Sequence, residues 1–231
     1  MRLDKYLANC GVGARSEVKK IIKSGVVAIN GTVIKKSDEN VCDTDIVSVN
    51  GEEIKYREFV YLMLNKPQGY VSATEDREHK TVLDLIGDEY SHFNLFPVGR
   101  LDIDTEGLLI ITNDGAFAHS VTSPKKEVYK TYFARLDKDA ESDDIECFKN
   151  GMEFKDFAAK SAILDITDKK NEVYIKIYEG KFHQVKRMCE RVGKTVVYLK
   201  RVAIGNLLLD DSLALGEYRE LNNDELRMIL K

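Results

Sequence analysis

No stretch of the 231-residue sequence approaches the ~20 consecutive apolar residues that a membrane-spanning helix requires. The opening Met1-Arg2-Leu3-Asp4-Lys5 also lacks the apolar segment of a secretory signal, so a cytoplasmic location is expected. Cys10, Cys42, Cys147 and Cys189 lie far apart, with no Cys-x-x-Cys pair and no matching histidine spacing. That pattern argues against zinc sites and disulfide frameworks, and for reduced, partly buried thiols. The three prolines, at 67, 97 and 124, mark no Pro/Gly/Ser linker, and internal repeats and low-complexity tracts are lacking. With 43% hydrophobic and 32% charged residues the composition is that of a globular chain, long enough for one good core, or one core plus a small module.

The net charge of −4 would argue weakly against nucleic acid if it were spread evenly, but it is not. Residues 1–36 carry eight Lys/Arg against Asp4 and Glu17, a balance of +6, whereas residues 37–58 carry two bases against seven acids, or −5. A second basic block spans 176–201, eight Lys/Arg against Glu179 and Glu190, again +6. Phosphate contacts respond to local potential rather than to the total.

From the start, Leu3 to Gly11 reads as a short helix stopped by glycine, and a second helix is expected from about Ser16 to Ser24, burying Val18, Ile21 and Ile22. Arg15, Lys19 and Lys23 recur every four residues as one basic stripe, with Lys20 beside it. Asn30-Gly31 between two β-rich runs predicts a hairpin, and a further run at 46–49 meets Asn50-Gly51. Two small helices followed by a small twisted sheet resemble the S4 RNA-binding domain over residues 1 to about 50, except that Ala14 stands where that family usually has serine. The resemblance assigns Arg15, Lys19, Lys20 and Lys23 to RNA; without it, such a stripe reads as a solvated helix face. A charged stretch at 55–58 sets the expected boundary, giving a module over 1–58 and a larger domain over 59–231.

The larger domain opens with a strand at 59–64 and a turn at Pro67 and Gly69, beside which Lys66 is expected to stand exposed. Further on, Gly99-Arg100-Leu101-Asp102-Ile103-Asp104-Thr105-Glu106-Gly107, then an apolar run ending in Asn113-Asp114-Gly115, reads as polar loop, buried strand, turn. A carboxylate at the mouth of such a strand suits nucleophilic or base chemistry, although by spacing alone three acids are merely a solvated turn. Strands are expected at 128–134, with Tyr132 and Lys130 on one face, and at 172–180. The acidic patch 137–146 reads as surface and an exposed helix start. A helix from Phe182 to Val192 would bury Phe182, Val185, Met188, Cys189 and Val192, and a short helix ends at Leu230.

The string GRLDIDTEGLLIITNDG at 99–115 resembles the active-site motif of pseudouridine synthases. Together with FHQVKRM at 182–188 it is similar to the branch that modifies small-subunit ribosomal RNA, and the likeness runs nearly the whole length. The resemblance implies Asp102 as catalytic carboxylate, Tyr132 (in Lys-Thr-Tyr) packing on the target base, Arg100 filling the space that base leaves, and Lys186 pairing with Asp102. Many relatives have arginine at that last position. Asp104 and Glu106, where the motif demands no acid, are expected to be surface residues, and His183 a structural one. The implied fold is α+β, an S4-like module followed by a domain built on a mixed, largely antiparallel sheet flanked by helices. The implied activity is isomerisation of a specific uridine in small-subunit ribosomal RNA, free or within an assembling subunit, by a monomer with neither cofactor nor metal. The alternatives are the same reaction on large-subunit ribosomal RNA, or a non-catalytic RNA-binding assembly factor. The reaction breaks the N1–C1′ bond, turns the uracil and rejoins it through C5. One carboxylate suffices, whether it attacks C1′, adds to C6 or takes a proton from the ribose.

Overall fold

In the computed structural model, which describes residues 1–230, the chain divides into two units. The first holds Met1–Val60 and Gly87–Asn94, and the second holds Tyr61–Ile86 and the chain from Leu95 onward. No helix among the described residues is long and apolar enough to cross a membrane.

In the first unit, helices α1 (Leu3–Asn9) and α2 (Arg15–Lys23) precede a four-stranded antiparallel sheet of β1 (Val27–Ile29), β2 (Thr32–Val33), β3 (Val47–Val49) and β4 (Glu52–Glu53), in the order β2-β1-β3-β4. Leu3 and Leu7 of α1, and Val18 and Ile22 of α2, are sealed against Val27 and Val47 of the sheet. Asn30 enters the left-handed region at φ 50° to close the hairpin. With Ala14 before it, α2 has no side-chain oxygen to cap its first turn; instead the Glu17 carboxylate accepts from the Ala14 backbone N–H at 2.9 Å. Asp4, buried at the foot of the helices, is held by Arg2 at 3.0 Å, and Arg15 reaches it at 3.7 Å.

The second unit contains β5 (Tyr61–Lys66), β6 (Phe96–Pro97), β7 (Glu106–Thr112), α3 (Gly115–Thr122), β8 (Lys130–Leu136), α4 (Ser142–Asn150), the two-stranded β9 (Met152–Glu153) with β10 (Ala158–Ala159), β11 (Ile163–Ile166), β12 (Glu172–Ile177), α5 (Gln184–Arg191), β13 (Val196–Ile204), β14 (Leu207–Leu208), β15 (Tyr218–Glu220) and α6 (Asn223–Ile229). Nine strands form one sheet with main order β11-β12-β8-β13-β7-β5-β15, β6 pairing with β7 and β14 with β13. Only β13 and β7 run parallel; the other pairs in it are antiparallel. The fold is therefore the mixed, largely antiparallel α+β arrangement expected.

Strand β7 sits in the middle and shows no alternation, because both its faces are covered: Leu108, Leu109, Ile110 and Ile111 are all fully buried. At about 2 kcal/mol for each such side chain, these four together contribute about 8 kcal/mol of hydrophobic stabilisation. Asn113-Asp114-Gly115 closes it not as a plain turn but as a helix start, with Asp114 Oδ1 accepting from Phe117 N–H at 3.0 Å to cap α3. Gly107, at φ +102°, lets β13 close on β7; a Cβ there would collide with the Arg201 carbonyl oxygen. Gly107→Ala is accordingly expected to cost about 3 kcal/mol in urea denaturation, from backbone strain and collision together. A cost under about 1 kcal/mol would show that the two strands separate easily.

Several local expectations change. Cys10 is half-buried and Cys189 buried, burial pushing their thiols up to about 11 and about 12, whereas Cys42 and Cys147 are exposed. Asp144, inside the acidic stretch expected at the surface, is buried and paired with buried Lys194 at 2.7 Å. Phe182 is not in a helix core: α5 begins only at Gln184, because His183 adopts a left-handed conformation (φ 49°), and Phe182 is left 68% exposed.

Candidate active site

The loop Arg100–Thr105, just before β7, is bound to the segment that leaves β5. Ser72 Oγ donates to the Leu101 carbonyl and accepts from its N–H, both at 3.0 Å, and Gly69 N–H donates to the Ile103 carbonyl at 2.8 Å. Lys66 is the centre of this attachment. Its ammonium donates to the carbonyls of Thr105 at 2.9 Å, Pro67 at 3.0 Å and Asp102 at 3.1 Å, with Ile103 at 3.5 Å. The residue expected to be exposed beside a turn is fully buried, because β5 continues through it and turns its side chain under the loop. Burial lowers Lys66 to about 8, against the upward pull of Asp104, Asp102 and Glu106.

Above this anchor the Asp102 side chain, itself 30% exposed, faces a cavity of about 180 Å³. Helix α5 brings Lys186 to the same place, its Nζ 3.3 Å from Asp102 Oδ2. The shorter contact of that ammonium, 2.6 Å, is to Asp104 Oδ1. Asp104, expected as a plain surface acid, does have an exposed side chain, yet it shares the lysine. Burial tends to raise its carboxyl, and the hydrogen bond and charge of Lys186 outweigh that and hold it below the ordinary value. Glu106 is half-buried on β7 and accepts from Tyr198 O–H at 2.7 Å, leaving it turned to β13 rather than to the surface. Burial first, and that carboxylate second, push the Tyr198 phenol up to about 12.

Tyr132 lines the cavity from β8, on the buried side of the expected alternation. Arg100 lines the rim and is exposed. His183 Nε2 stands 3.7 Å from Asp102 Oδ1, beyond hydrogen-bonding distance, and its ring stacks on Phe182 at 3.8 Å between centroids. Thus Asp102, Lys186, Tyr132 and Arg100, from three separate parts of the sequence, meet at one cavity. The arrangement offers a carboxylate fixed by its backbone, an ammonium beside it and a flat ring as wall. That set can bind a planar heterocycle and present a charged oxygen to it. Arg15, Lys19, Lys20 and Lys23 are all exposed on α2 of the first unit.

Sequence reasoning missed Lys66 and Asp104 as parts of this site. The signal for Lys66 lay in its adjacency to a strand whose apolar run it extends; Asp104 gave none beyond its place in the loop.

Residues 60–191 match the family model for RNA pseudouridylate synthase, and residues 1–47 match the S4 domain. An RNA pseudouridine synthase of Bacillus subtilis (strain 168) is 49% identical over 234 residues, covering 99% of this chain and 98% of that protein. Ribosomal small subunit pseudouridine synthase A of Escherichia coli (strain K12) is 38% identical over 234 residues, 100% of both chains. A crystal structure of a pseudouridylate synthase superposes with a TM-score of 0.70 at 36% identity over 99% of each chain. The chain belongs to the RNA pseudouridylate synthase family, with an S4 domain over its first residues.

Proposed function

We propose that this RNA pseudouridine synthase isomerises a specific uridine of small-subunit ribosomal RNA, with Asp102 as the reacting carboxylate and no cofactor. The observation that carries the reading is the Asp102–Lys186 pair at 3.3 Å inside a cavity walled by Tyr132. The ammonium stands beside the oxygen that must carry negative charge in the reaction, and partial burial keeps water from damping the attraction between them. The target uridine turns out of its stack into the cavity, where Tyr132 lies against the ring and Arg100 at the rim fills the gap left behind. Once the N1–C1′ bond opens, the walls of the cavity keep the uracil in place while it turns to offer C5. The choice of small-subunit RNA is supported by the name of the Escherichia coli relative.

The test is to incubate the protein separately with unmodified small-subunit and large-subunit ribosomal RNA and map pseudouridine by chemical labelling and reverse transcription. Modification at one uridine of the small-subunit RNA alone is expected; modification of only the large-subunit RNA would overturn the substrate.

The basic face of α2 contributes affinity through phosphates without reading sequence. Replacing Lys19, Lys20 and Lys23 together by Gln is expected to weaken RNA binding. It should also flatten the plot of log affinity against log salt by about 0.7 to 0.9 for each phosphate no longer neutralised. An unchanged slope would mean the stripe is solvated surface.

A further inference from the structure

A second cavity, of about 290 Å³, lies beside the first and shares Arg100, Tyr132 and Lys181 with it as walls. Its floor is unusual in charge. Lys130 of β8 and Arg201 of β13 both line it and are both buried, with 7% and 3% of their surfaces exposed. Arg201 Nε donates to the Leu108 carbonyl at 2.7 Å, but its Nη2 is buried with no hydrogen-bond partner. Lys130 Nζ reaches only backbone carbonyls, Val121 at 3.0 Å and Tyr178 at 3.5 Å, and forms no ion pair among the described residues. With exposed Arg100 and Lys181 at the rim, four basic residues face the cavity against one acid, buried Glu179. One oxygen of that carboxylate is already engaged, Oε2 accepting from Lys160 N–H at 2.9 Å and from Gln184 Nε2 at 3.3 Å.

Two buried cations side by side, one with an idle donor, are costly unless an anion joins them. Burial first, and the charge of Arg201 second, lower Lys130 to about 8, the mark of a cation that lacks a counter-charge. We propose that this cavity is an anion subsite that takes a phosphodiester of the RNA strand next to the uridine held beside Asp102. Guanidinium and ammonium groups at the floor match phosphate oxygens in charge and donor count. Because the two cavities share a wall, a base in the first places its adjoining backbone beside the second. The inference rests on the functional reading above for its RNA, though not for its anion.

The test uses the intact wild-type protein with two probes. Inorganic phosphate is titrated while the lysine side chains are followed by NMR against pH, the Lys130 signal being assigned with Lys130→Gln. Saturating phosphate is expected to raise the Lys130 titration by about one unit, since the ammonium then gains a counter-charge. In the second arm, an RNA fragment of the substrate carries a neutral methylphosphonate on one side of the target uridine or the other. One of the two is expected to bind about tenfold more weakly than the native fragment, a loss that shrinks in Arg201→Met or Arg201→Lys. A Lys130 signal indifferent to phosphate would overturn the subsite outright. A phosphate response with neither methylphosphonate mattering would overturn the RNA assignment and leave a site for a free anion. Pseudouridine is read in the same reactions, so binding without conversion would count against the proposed function while supporting the subsite.

Discussion

Lys66→Met is expected to cost about 3 kcal/mol of folding stability, a large part of what a domain has to lose, and to remove activity with it. The ammonium serves the carbonyls of Pro67, Asp102, Ile103 and Thr105 at once, and methionine offers none of them a donor. Three of those carbonyls belong to the loop that carries Asp102, so the backbone behind the carboxylate loses its anchor along with its partners. The pH dependence has a definite sign. Lys66 titrates at about 8 when folded, whereas a lysine of the unfolded chain does so at about 10.4, so between these values the unfolded state binds more protons. Stability from this group is therefore lowest below pH 8 and rises up to about pH 10. Urea denaturation at several pH values should show the gap between wild type and Lys66→Met widening over that window. A cost below about 1 kcal/mol, or a gap independent of pH, would mean that Lys66 is not the anchor.

Why Lys66 escaped the sequence reading is physical. A lysine next to Pro67 and Gly69 is ordinarily solvated, and burying one is unfavourable until something non-local compensates. Here that something is a row of carbonyls from residues 102–105, brought over by the pairing of β5 with β7, which no local pattern reports. Phe182 failed in the opposite direction. Its spacing to Val185 and Cys189 suits a helix core, but spacing cannot reveal that His183 turns left-handed and starts α5 two residues later. Alternation in β8, by contrast, put Lys130 and Tyr132 on one face, and the structure shows that face to be the buried one, since a strand against a core has period two. The hairpin at Asn30-Gly31 was equally legible, because its turn chemistry is local. The meeting of Asp102 with Lys186 was expected from family resemblance rather than from any local rule, as 84 positions separate them in the sequence. The idle Nη2 of Arg201 depends on how β13 passes β7 at Gly107, and only the assembled sheet shows it.

Asp102→Asn should reduce isomerisation by at least about 10³-fold while leaving the fold and the RNA affinity nearly unchanged. The side chain is nearly isosteric and partly exposed, and Lys186 keeps its closer partner, Asp104, at 2.6 Å, so no buried charge is stranded. The neutral amide can still hydrogen-bond, but it cannot supply a negative oxygen at C1′, at C6 or toward a ribose proton. The most direct measurement compares the two proteins at equal RNA occupancy, counting pseudouridine per molecule of unmodified small-subunit ribosomal RNA. The expected result approaches one pseudouridine for wild type and none for Asp102→Asn. Equal yields from both, or uridine left intact by both despite equal binding, would contradict the account.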